Sequence, residues 1–271
     1  MKWAPDGRRF VSASADQTAR IYGANAPPQS DVANGGDSAR AAFFTCLKVL
    51  DFAGAVSAAA FLPAGFGAPA AARGHQRGLG LAGDVLAVAV KGDHALTVVD
   101  FSSPHEDCKS ATPAYATSSV SLNATPGDRH VSFVVRDLAP SPDGRHLAVA
   151  TDASRALLLR VLPPPPPPPG AGAAGGGPQP LIAVVHRRHY YGICSRPDFP
   201  HKAAFGRGGH YLYVTAADGA VAVFDAGTGR PLPPLPASPG GAAVRDVHAH
   251  GDVVAACGFD KAVRLYSVYS C

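Results

Sequence analysis

The chain has 271 residues, 46% hydrophobic and 16% charged, with a formal net charge of +4. That is ample material for one large packed domain or two small ones, and too little charge for a solvated, disordered chain. No run approaches the roughly 18 apolar residues of a membrane span, and the start MKWAPDGRRF has no apolar signal core, so a protein of the cytoplasm or nucleus with no membrane partner is expected.

From the N-terminus onward, five segments align on one aspartate: RRFVSASADQTARIYG, DVLAVAVKGDHALTVVDF, RHLAVATDASRALLLRV, HYLYVTAADGAVAVFDA and DVVAACGFDKAVRLYSV. The anchors are Asp16, Asp93, Asp152, Asp218 and Asp260. Five residues after them stand Ile21, Val98, Leu157, Val223 and Leu265, and one further on Tyr22, Val99, Leu158, Phe224 and Tyr266. Each unit reads as an apolar strand, a tight turn and a second apolar strand. Aspartate suits the turn because its carboxylate accepts from backbone N–H groups just ahead. Pro5-Asp6-Gly7 and Pro142-Asp143-Gly144 mark a further reversal one strand earlier in two units. The units are therefore antiparallel meanders of an all-β repeat protein.

The last two anchors are 42 residues apart (Asp218 to Asp260), within the period of about 40–45 expected for a propeller blade. The wider spacings require insertions, which fall at 23–42, 63–83, 102–126 and 162–180 by their Gly, Ala, Ser and Pro content. The last of these holds Pro163 to Pro169, a stiff linker in composition.

These segments resemble WD repeats, most closely WAPDGRRFVSASADQTARIYG at 3–23 and VRDVHAHGDVVAACGFDKAVRLYS at 244–267. The resemblance implies a single β-propeller domain over 1–271, built of four-stranded blades, about five of them recognisable. The abrupt ends leave either that ring or a truncated, incompletely closed part of a seven-blade one. No unit ends in Trp-Asp, and the opening Gly-His of that family is missing, so its side-chain network is incomplete. The family's usual role implies a non-catalytic scaffold for protein complexes.

Nothing in the chain points to an enzyme. There is no Walker loop, no Gly-x-Ser-x-Gly, and the anchor aspartates belong to turns. No cofactor, small-molecule substrate or metal site is expected. The five cysteines lack any C-x-x-C, and His186, His189 and Cys194, like His248, His250 and Cys257, read as surface residues. Arg supplies 18 of the 24 basic residues but is scattered, which does not favour nucleic acid; Arg20, Arg129, Arg155 and Arg264 would carry such binding. A propeller hydrolase is the other alternative.

Other proteins are thus the expected partners. Arg187, Arg188, His189, Tyr190 and Tyr191 are expected on a blade-to-blade loop at the binding rim, since Arg and Tyr are enriched at interface hot spots. Arg230, Pro233 and Pro236 fit the basic P-x-x-P form that SH3 domains grip, against the plainer reading of a proline-rich outer strand.

Overall fold

A computed structural model describes residues 1–24, 44–63, 85–101, 115–162 (except 124 and 126) and 182–267 (except 197, 198 and 239). These residues form five antiparallel blades, each running from the axis outward in chain order. Blade 1 contains β1 (Lys2–Trp3), β2 (Arg9–Ala13), β3 (Thr18–Ala24) and β4 (Phe44–Asp51). Blade 2 contains β5 (Val56–Leu62), β6 (Val85–Val90), β7 (Ala95–Asp100) and β8 (Ala116–Ser121). Blade 3 contains β9 (Val135–Pro140), β10 (His146–Thr151), β11 (Arg155–Leu162) and β12 (Ala183–Tyr191). Blade 4 contains β13 (Ala203–Phe205), β14 (Tyr211–Thr215), β15 (Ala220–Asp225) and β16 (Pro231–Pro236). Blade 5 has three described strands, β17 (Val244–His250), β18 (Val253–Gly258) and β19 (Val263–Ser267). The fold is a five-bladed β-propeller. The stretch 102–126, expected to be an insertion, contains β8, because alternating Thr117, Ser119 and Ser121 leave Val120 to face the core.

The anchor turns join the second and third strands of each blade. In four of them the aspartate Oδ1 accepts the amide two residues on: Asp16 from Thr18 (3.0 Å), Asp93 from Ala95 (3.0 Å), Asp218 from Ala220 (3.2 Å) and Asp260 from Ala262 (3.2 Å). Asp152 departs from this pattern. Ala150 pairs with Ala156, which centres that turn on Ala153, one residue later than the aligned aspartate. Its carboxylate instead accepts from the Val134 amide (2.8 Å) and lies 3.4 Å from the Arg136 guanidinium. The shift reverses the faces of β11: Leu157 packs toward blade 2 and Leu158 toward blade 4, whereas in blade 4 Val223 faces blade 5 and Phe224 faces blade 3. A one-residue offset does this because side chains alternate along a strand.

Four apolar cores stack the blades. They join blade 1 to 2 through Ile21 and Phe61, 2 to 3 through Val98 and Leu157, 3 to 4 through Leu158 and Leu212, and 4 to 5 through Val223 and Val254. Among the described residues no such core joins blade 5 to blade 1. Val263 and Leu265 of β19 are 71% and 70% exposed, whereas their counterparts on β15, Val221 and Val223, are 0% and 8% exposed. On the far face of blade 1, Trp3, Phe10, Tyr22 and Phe44 form an exposed or half-buried aromatic cluster, with Phe10 stacked on Tyr22 at 4.9 Å. Near the axis the two end blades do approach: the Met1 ammonium, whose pKa burial lowers, also feels the Asp246 carboxylate of β17.

The turn geometry generates a test. Gln17 and Lys261, each following its anchor, adopt left-handed φ of 71° and 64°, and blade 4 places Gly219 (φ 88°) there. A side chain in this region costs about 1 kcal/mol or more. Lys261→Gly is therefore expected to raise the unfolding free energy by about 1 kcal/mol, while Asp260→Ala, which removes the acceptor of the Ala262 amide and the carboxylate paired with Arg264, lowers the melting temperature. Thermal denaturation of both variants checks the pair of signs.

Candidate interaction surfaces

The two rims of the propeller differ. The anchor turns and the blade-to-blade connections occupy one. The reversals after the first and third strands occupy the other, because strand direction alternates within a meander. All four long stretches outside the described residues leave from this second rim: 25–43 joins β3 to β4, 64–84 joins β5 to β6, 102–114 joins β7 to β8, and 163–181 joins β11 to β12. Pro163 to Pro169 and Cys108 lie in those stretches, and Cys271 at the end, all outside the described residues.

The segment Arg187 to Tyr191 is not a loop. It is the end of β12, the outer strand of blade 3, in register with β11 from Leu159↔Arg187 to Arg155↔Tyr191. The polar residues of the run AVVHRRHYY obscured the strand from the sequence. Tyr190 is buried. Its ring meets Phe224 edge-on at 5.0 Å and its hydroxyl donates to the Ala226 carbonyl at 3.0 Å, so it belongs to the blade 3–4 core and offers nothing to a partner. Arg188 donates to the carbonyls of Ala226 and Gly227, clasping the β15–β16 reversal. Tyr191 is exposed and stacks on His189 at 5.8 Å.

Arg230, Pro233 and Pro236 sit at and within β16, the outer strand of blade 4. Leu232 and Leu235 turn inward against the blade 4–5 core while the four prolines point out. Proline suits this position, since an edge strand needs no outward N–H donor, and it blocks pairing with another chain. Pro236 is also fixed through its carbonyl, which accepts the Tyr266 hydroxyl at 2.7 Å.

The histidine clusters are divided among strands: His186 and His189 lie on β12, His248 and His250 on β17, with Cys194 and Cys257 as free thiols. No group of three His, Cys, Asp or Glu side chains able to hold a metal ion occurs among the described residues. The sequence reading missed a different histidine. His201, buried, stands just before β13, where the resembled family places the histidine of its opening dipeptide. Its Nδ1 lies 2.5 Å from the Thr215 carbonyl, so that nitrogen carries the proton and Nε2 accepts from the Ser195 hydroxyl at 2.8 Å. Phe199 covers the ring edge-on at 4.6 Å. A serine beside a histidine is a nucleophile's arrangement, but here the third partner is a carbonyl and an aromatic ring closes the site. The network fastens the blade-to-blade connection to β14. Pro200-His201 without a preceding glycine was the available signal.

At the axis, Asp137 of β9 performs a similar task between blades. Its buried carboxylate meets Lys2 of β1 at 2.7 Å and Lys202 at 3.7 Å, and accepts the Ala203 amide at 3.1 Å. Three blades are thereby tied to one side chain.

The family described as "WD domain, G-beta repeat" matches residues 1–23, the span of blade 1 through β3. The chain is a β-propeller whose first blade matches the WD-repeat model. No curated protein matches the sequence. Among solved structures, the chain is similar to the β-propeller domain of Cps50 (Swd1) from Myceliophteria thermophila, at 14% identity and a TM-score of 0.47, covering 99% of this chain and 82% of that one.

The buried histidine of this propeller gives it a pH dependence. Burial holds the His201 pKa below its ordinary 6.5, with the Thr215 carbonyl opposing. The unfolded chain then binds the proton first, so the stability contributed by neutral His201 is present above pH 6.5 and lost as pH falls toward the folded-state value. Burial lowers His146 and His189 in the same direction. The melting temperature should therefore fall on acidification below pH 6.5, and His201→Gln should make that fall shallower. An unchanged slope in the variant contradicts the assignment.

Proposed function

We propose that this propeller is a non-catalytic scaffold for protein–protein interaction within a multiprotein complex, and that the outer face of blade 5 receives an apolar β-sheet face from a partner protein. The observation that supports it is the exposure of Val263 and Leu265, at positions whose equivalents in blade 4 are buried against a neighbouring sheet, with Val253 exposed beside them. Covering one such side chain contributes about 1.5–3 kcal/mol. Its chemistry also sets the partner's. The facing surface has to be flat, apolar and sheet-like, as β15 and β16 are toward the other side of the blade.

Nucleic acid fits the surface less well. Of the four arginines that would serve it, Arg20 is paired with Asp16 at 2.9 Å, Arg264 with Asp260 at 2.6 Å, and Arg155 donates to Ser132 and lies over the Phe133 ring. Salt-dependent DNA binding needs a stripe of available cations.

A photo-crosslinking amino acid at position 265, in cells, tests the reading. Crosslinks to a different protein, abolished by Val263→Lys, are the expected result. Crosslinks only between copies of this chain, or none above those from a probe at Arg129, contradict it.

A further inference from the structure

On the rim that carries the insertions, a cleft of about 220 Å³ opens between blades 3 and 4. Asp143, Arg145 and His146 border it from the β9–β10 reversal, Arg160 and Arg188 from β11 and β12, and Gly227 from the β15–β16 reversal. Its floor is apolar, made of Leu158 and Ala226. Three guanidiniums and an imidazole thus face a single carboxylate.

That carboxylate is already engaged. Asp143 accepts from the Ser141 hydroxyl and the Arg145 amide, with His146 Nδ1 at 3.8 Å. Arg188 is held on backbone carbonyls. The guanidiniums of Arg145 and Arg160 have neither a hydrogen bond nor an ion pair among the described residues. Four arginines elsewhere, Arg9, Arg20, Arg207 and Arg264, are by contrast each paired with an aspartate. The cations also act on His146, whose pKa burial lowers first and Arg160, Arg145 and Arg188 lower further, against Asp143.

We propose that this cleft binds a phosphate monoester carried on a peptide, the phosphoserine or phosphothreonine of a partner protein. A monoester is close to a dianion at neutral pH with three acceptor oxygens, which two guanidinium forks match in charge and geometry. The volume lies below the roughly 300–1,000 Å³ of pockets for drug-sized molecules, so one side chain fits and a nucleotide cofactor does not. The apolar floor receives the methylene or methyl of the modified residue. The excess positive charge is local to one cleft, where a nucleic acid needs an extended track. The inference takes from the scaffold reading only that the ligand is a peptide, and its site is separate from the blade 5 face, so either can fail alone.

The test is fluorescence anisotropy on the full chain, using a labelled pool of degenerate peptides with a central phosphoserine and a matched pool with serine. Saturable binding of the phosphorylated pool is expected, about tenfold or more tighter than the serine pool. Arg145→Gln with Arg160→Gln should weaken it by about tenfold at an unchanged melting temperature. Arg8→Gln with Arg129→Gln removes the same charge elsewhere and should leave binding intact. The proposal is overturned by any of four outcomes. These are no saturable binding, equal binding of both pools, equal losses in the two double variants, or a single-stranded DNA oligomer that binds the cleft more tightly than the phosphopeptides.

Discussion

A blade of this protein has two apolar faces and can bury each only against another sheet. Everything else in the structure follows from that requirement. Four cores between five blades satisfy it for every inner face, with small Ala side chains opposite larger Leu, Val and Phe where sheets approach closely, as at Ala148 and Ala150 against Leu212 and Phe224. The stack is quasi-one-dimensional, so each blade depends on its neighbours more than on the whole. Among the described residues the outer faces of blades 1 and 5 have no sheet against them, and a face built like a core but exposed to water is the strongest reason to read the molecule as a binding scaffold.

Polar groups then fix what the apolar faces only press together. Asp137 gathers Lys2, Lys202 and the Ala203 amide at the axis, while His201, Ser195 and Thr215 pin one connection to its blade. Both lie away from the rim that carries the insertions and the cationic cleft. One rim is therefore committed to holding the blades together and the other is available for recognition, a division seen wherever loops on a rigid frame carry function. Arg188 links the two tasks, since the guanidinium that lines the cleft also clasps blade 4.

Much of the architecture was legible in the sequence, because strand–turn–strand units with an aspartate at a fixed offset reflect local chemistry. Asp16, Asp93, Asp218 and Asp260 bond the amides that turn chemistry assigns them. Asp152 misled, since an aspartate one residue off centre looks identical in a sequence and only the pairing of Ala150 with Ala156 shows the offset. Outer strands were the least visible. β8 and β12 have one face in water, so their Ser, Arg and His content reads as loop, whereas β16 was open to reading as a proline-rich outer strand. The cleft could not be read at all: Arg145 comes from a reversal, Arg160 and Arg188 from two strands, and they meet only through folding.

The central claim is a stack supported from within and uncovered at its ends. Native-state amide hydrogen exchange, resolved by strand, measures that directly. The slowest exchange should fall in β10 and β11 of blade 3, which has neighbours on both faces, with protection declining outward to β18 and β19. Exchange in β19 as slow as in β11 would mean the outer face of blade 5 is covered within the isolated chain, and would contradict the account.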